Sequence, residues 1–96
     1  MSCFFIAQIN IHDQAGYDKY LEGFDEVFSR FKGEVLVVDD QATILEGSWP
    51  YTRTVLIRFP DKREAEIWYK SAEYQKLARD RWQASIANIV LVEGGE

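Results

Sequence analysis

The chain has one cysteine, one histidine and one methionine in 96 residues. A single cysteine, Cys3, cannot close an internal disulfide, so the expected setting is a reducing compartment, the cytoplasm. One histidine and one cysteine make no closed ligand set, and no metal site is expected. No apolar run approaches the roughly 20 residues of a spanning helix, and no charged leader followed by an apolar run opens the chain. Basic residues are scarce in the first half: residues 1–52 hold 3 basic and 9 acidic side chains, residues 53–96 hold 8 and 7, and the net charge is −5. An acidic chain with no basic stripe is repelled by phosphate, which makes nucleic acid and anionic membrane poor partners, and neither is expected. There is no Gly-x-Ser-x-Gly elbow, phosphate loop or dinucleotide fingerprint, so no cofactor is expected. Repeats, linkers and low-complexity runs are also missing, and residues 1–96 read as one domain.

Aromatic residues are what the chain has in plenty, at 15%, with three Trp, five Tyr and six Phe. "CFFIAQINI" (Cys3–Ile11) reads as a strand: its odd positions are all apolar, while its even positions drift from Phe4 and Ile6 to Gln8, Asn10 and His12. Asp13 is suited to cap a helix carrying Tyr17, Tyr20, Leu21, Phe24, Val27, Phe28 and Phe31 at steps of three and four, with a stop near Gly33. "EVLVV" (Glu34–Val38) and "RTVLIRF" (Arg53–Phe59) are two more strands, joined by a turn at Asp39-Asp40-Gln41, an extended arm to Gly47 and the loop "SWPY". In "RFPDKREAEIWYKSAEY", Pro60 ends a strand and Asp61 with Glu64 starts a second helix, whose Trp68 and Tyr69 pack on one face. Ser71 re-caps a further segment on which Tyr74, Leu77, Ala78 and Trp82 keep the helical spacing, so "RDRW" reads as a solvated face with one anchoring ring. "NIVLVEG" (Asn88–Gly94) is the last strand.

The order is strand, helix, strand, strand, helix, strand. Right-handed crossovers then make the first two strands parallel to one another, and likewise the last two. The economical result is an α+β, ferredoxin-like βαββαβ fold, a four-stranded antiparallel sheet with its helices on one face. Phe4, Ile6, Gln8, Leu36, Val38, Leu56, Val90 and Val92 fall on the other face. So apolar a face calls for a cover, and a second copy of the chain, as a homodimer, is the expected partner.

The stretch "LEGSWPYTRTVLIRFPDKREAEIWYKSAEYQKL", the opening "IAQINIHDQAGYDKY" and the closing "IVLVEG" resemble domain-of-unknown-function family 1330 (DUF1330) over nearly the whole chain. The resemblance implies a ferredoxin-like subunit that pairs into a dimeric α/β barrel, and brings no agreed activity with it. Three departures stand out. Gln14 replaces the Pro that commonly follows the capping Asp, the glycine-rich turns are reduced to Gly33 and Asp39-Asp40, and Arg58 stands where an acidic residue is expected.

Two functions fit these residues. One is a protein that binds a small, partly aromatic or anionic molecule in a barrel pocket. The other is a cofactor-independent, oxygenase- or isomerase-like enzyme with His12 as acid and base, the chemistry for which imidazole is the commonest side chain. Asn10, Trp49, Arg53 and Arg58 are the candidate ligand-binding residues, set between the polar end of the first strand, the third strand and the aromatic loop. Trp49 would act as a lid, and Arg53 or Arg58 as an anchor for an anionic group. Against each stands a plainer role: a turn His before a cap, and a loop stapled to its own subunit or to a partner. Tyr17 and Tyr20 read as packing residues, and Cys3 as a small core residue.

Overall fold

β1 (Cys3–Ile11) buries Cys3, Phe5, Ala7 and Ile9 on one side, as its alternation requires. Around it lie β2 (Glu34–Asp39), β3 (Arg53–Phe59) and β4 (Ser85–Glu93), in the order β2-β3-β1-β4 with every neighbouring pair antiparallel. α1 (Gln14–Phe28), α2 (Lys62–Lys70) and α3 (Ala72–Ala84) cover the face to which the odd residues of β1 and β3 point. This is the expected ferredoxin-like α+β arrangement. The computed structural model describes residues 1–94; residues 95 and 96, the end of the domain expected over 1–96, lie outside the described residues. No helix among the described residues is long and apolar enough to cross a membrane.

The caps follow from side-chain chemistry. Asp13 accepts from the Gly16 amide at 3.1 Å, Asp61 from Glu64 at 2.9 Å, and Ser71 Oγ from Tyr74 at 3.1 Å, so each satisfies an amide that its helix leaves free. α1 ends at Phe28, short of Gly33, because Ser29 and the turn after it take over its last carbonyls. β4 begins at Ser85, three residues before Asn88, since α3 runs straight into the strand and Ser85 Oγ donates back to the Arg81 carbonyl at 2.7 Å.

One face assignment changes. The register of β2 on β3 shifts between Val35 and Val37: Val35 pairs with Ile57, Val37 with Leu56 and Val38 with Val55. Leu36 is thus the extra residue of a β-bulge, and beyond it the alternation flips. Val38 therefore faces the helices with Val55, and Val37 takes its expected place on the bare face.

Trp68 organises the core. Its ring lies against Phe5, Phe24, Phe28, Phe59, Tyr69 and Tyr74, the nearest being Tyr74 with centroids 4.3 Å apart. Edge-to-face contacts dominate this cluster, which suits the quadrupoles of the rings. On the other face Val90 is 54% exposed, and Leu36, Val37, Ile86 and Val92 are exposed as well.

Candidate functional site

Between the sheet and the helices lies a cavity of about 250 Å³. Its floor is β1 and β3 (Phe5, Ala7, Ile9, Val55 and Ile57), and its roof includes Tyr17, Tyr20 and Phe24 of α1 with Trp68, Tyr74 and Arg81. The wall is mostly apolar, with a few polar groups converging on it, the usual composition of a small-ligand site.

The polar groups form a connected set. The hydroxyls of Tyr20 and Tyr74 lie 2.7 Å apart, and the Arg81 guanidinium sits 5.9 Å from the Tyr20 ring centroid. Burial pushes the Tyr20 phenol well above its ordinary value, and the neighbouring Tyr74 adds to the rise. Burial raises Tyr74 too, while the Arg81 charge pulls it part of the way back. Tyr17 is raised by burial and partly restored by Arg53, whose guanidinium lies 5.4 Å from its ring centroid. All three are neutral phenols at neutral pH, able to donate hydrogen bonds. Arg53 makes a bidentate pair with Asp40, at 2.7 and 2.9 Å, and that bonding holds the Asp40 carboxyl below its usual range.

The residues proposed from sequence are spread over both faces and both ends of the sheet. Arg53 is the one of the five that lines the cavity. Asn10 and His12 are exposed at the end of β1, and the His12 amide donates to the Ala84 carbonyl at 3.0 Å. Trp49 lies half-buried on the opposite face of the sheet, its indole N–H donating to Thr54 Oγ1 at 3.3 Å and its ring 5.3 Å from that of Tyr51. Tyr51 in turn accepts from Asn88 at 2.8 Å, so this loop is fastened across the polar end of the helix-free face. Arg58 is bonded at 2.8 Å to Glu34, its cross-strand neighbour. Its β1 partner is Phe4, so the strand separates Arg58 from His12 by roughly 26 Å at about 3.3 Å per residue. Within one subunit those two residues lie at opposite ends of the sheet.

Arg81 was the residue hardest to foresee. In "RDRW" the structure exchanges the expected roles: Arg81 is 4% exposed, and Trp82, the expected anchor, is 47% exposed. The buried stripe of α3 runs Tyr74, Ala78, Arg81, in steps of four and three. That spacing is present in the sequence, but a charged residue at its third place reads as solvent-facing. The spacing of Tyr20, Tyr74 and Trp68 marks them only as packing residues; their hydroxyls and indole make them part of the site. Cys3 is buried and its thiol is raised, first by burial and then by Glu93, in keeping with a core role. Among the described residues, no three of His, Cys, Asp and Glu come together as metal ligands.

A family model described as domain of unknown function (DUF1330) matches residues 2–95. The chain belongs to that family. No curated protein matches this DUF1330 chain. Its fold is shared by a protein of unknown function from Rhodopseudomonas palustris, at 13% identity and a TM-score of 0.80, over 99% of this chain and 83% of that one. A dimeric ferredoxin-like protein of unknown function from Jannaschia, at 13% identity, gives a TM-score of 0.78 over 98% and 100% of the two chains. SnoaB, a cofactor-independent oxygenase from Streptomyces nogalater, at 10% identity, gives 0.72 over 99% and 94%. At these identities the likeness is one of fold.

Proposed function

We propose that this DUF1330 protein is a homodimer that binds a small, partly aromatic or anionic molecule, each subunit of a dimeric α/β barrel using the cavity between its sheet and its helices. The observation that carries the reading is a cavity of about 250 Å³ walled by aromatic rings, with Arg53 and Arg81 on its lining. Drug-sized pockets start at about 300 Å³, so the occupant is smaller, one or two rings. A cytoplasmic setting without nucleic-acid or membrane partners goes with the acidic balance and the single buried thiol. Native mass spectrometry of the purified protein is expected to find two chains with a co-purified small molecule. Titration with benzoate, naphthoate and indole acetate should quench tryptophan fluorescence saturably. A folded protein that takes up none of them at millimolar concentration overturns the reading.

A second reading, a cofactor-independent enzyme, is favoured by the fold shared with the Streptomyces oxygenase. His12 would serve as acid and base only for a substrate held at the outer end of β1, because it is exposed and is not among the residues lining the cavity. Turnover separates the readings, which ligand-induced stabilisation does not. Oxygen uptake or product formation that His12→Ala abolishes would establish the enzyme, and binding without conversion would leave the binder.

A further inference from the structure

The cavity's lining holds one carboxylate, Asp25, and several donors whose hydrogen bonding is incomplete. Arg81 Nε and Trp68 Nε1 are buried on its wall, and neither has a hydrogen-bond partner among the described residues. Tyr20 and Tyr74 share one hydrogen bond between two hydroxyls, which leaves one phenol proton over. Arg81 is also without a carboxylate at ion-pair distance among the described residues, whereas the cavity's other guanidinium, Arg53, is matched by Asp40. The face of the Tyr20 ring, and the Tyr74 hydroxyl with which the guanidinium hydrogen-bonds, ease the burial of Arg81 but bring no negative charge. A buried cation without a counter-charge is costly, and a cationic side chain this deep is normally compensated by an anion.

We propose that Arg81, Trp68 and the Tyr20–Tyr74 pair form an oxyanion subsite that seats the carboxylate of a small aromatic acid, its ring lying among the core aromatics. This rests on the cavity being the binding site. The chemistry selects an acceptor-only group: a carboxylate takes up the guanidinium, indole and phenol donors at once, and it neutralises Arg81. A carboxamide of the same shape brings no charge to neutralise Arg81, and its NH₂ adds donors to a lining already rich in them. Arg53, already engaged by Asp40, leaves the selection of charge to Arg81.

The test uses 2-naphthoate and its neutral isostere 2-naphthamide as probes, titrated into the full-length protein at neutral pH by calorimetry. Naphthoate is expected to bind at least about tenfold more tightly, in line with hydrogen bonds made to a charged group. The indole N–H resonance of Trp68 should move downfield with naphthoate and stay in place with naphthamide. In Arg81→Met the preference should vanish while naphthamide affinity is kept, and Arg81→Lys should keep a reduced preference. Equal affinity for the two probes, or a preference retained in Arg81→Met, overturns the oxyanion subsite and leaves the cavity as a binding site. Binding of neither probe by folded wild-type protein overturns both. Should Arg81→Met fail to fold, the wild-type ratio and the Trp68 resonance decide.

Discussion

Gly33 stands where the chain leaves α1 and turns into β2, hard against two rings. A Cβ there would lie 2.4 Å from Phe28 Cζ and 2.6 Å from Phe59 Cε1. Phe59 is buried and stacks on Trp68 at 5.5 Å, while the half-buried Phe28 would have to give up its stacking on Phe24 at 5.0 Å to move away. Gly33→Ala should therefore lower stability by about 1–3 kcal/mol, the usual cost of overpacking, read as a lower urea midpoint with an unchanged slope. An unchanged midpoint would mean that the cluster is looser than its packing indicates. The phenols give a second test at this scale. Tyr17, Tyr20 and Tyr74 are all raised by burial, so their folded-state values lie above their unfolded ones. The stability they contribute is intact below about pH 10, the ordinary phenol value, and falls as the pH climbs past it towards the raised values. Phenolate absorbance from these three should appear together with unfolding, and Tyr20→Phe should make the alkaline loss of stability shallower. Three phenolates forming in a protein that stays folded would contradict the buried placement.

At the scale of elements, local chemistry and tertiary pairing divide the credit. Asp13, Asp61 and Ser71 cap the helices they were expected to cap, because an N-cap is decided by one side chain and the next three amides. Removing the carboxylate in Asp61→Ala should cost on the order of 1 kcal/mol and lower the urea midpoint accordingly. No change there would hand the boundary to Pro60 and packing. The strands were legible through alternation, which the bulge at Leu36 defeats: the extra residue is set by the pairing of β2 with β3, and nothing in "EVLVVD" announces it. The candidate site was less legible for a related reason. Alternation places Asn10 and Thr54 on the helix-free face, which drew attention there, while the cavity is made by what α1, α2 and α3 hold over the other face. Arg53 was within reach because it sits on a strand. Arg81 was not, since whether a helical guanidinium is buried depends on the tyrosines opposite it, and those lie 61 and 7 residues away in the chain.

For the whole molecule, the unsolved problem of the single chain is its helix-free face. Phe4, Ile6 and Leu56 are only half-covered there, Val90 is 54% exposed, and on the arm after β2 Leu45 is 90% exposed. Four strands at about 4.8 Å spacing and about 25 Å length give a footprint on the order of 500 Å². Accessible area exceeds footprint, and the arm adds to it, so the surface is of the order of the roughly 800 Å² per partner of a standard interface. A two-fold pairing of this face would cover the apolar rows of both copies and leave each cavity, on the far side of its own sheet, separate. It would also bury the Trp49–Tyr51 loop that is fastened over the polar end of the face, giving that loop an interfacial role. Sedimentation over a dilution series should find a dimer persisting to micromolar concentration, and Val90→Glu should shift it to monomer by placing a charge in the covered face. If the wild-type protein sediments as a well-folded monomer at those concentrations, or if Val90→Glu pairs as tightly as the parent, the face has some other cover and the proposed barrel is wrong.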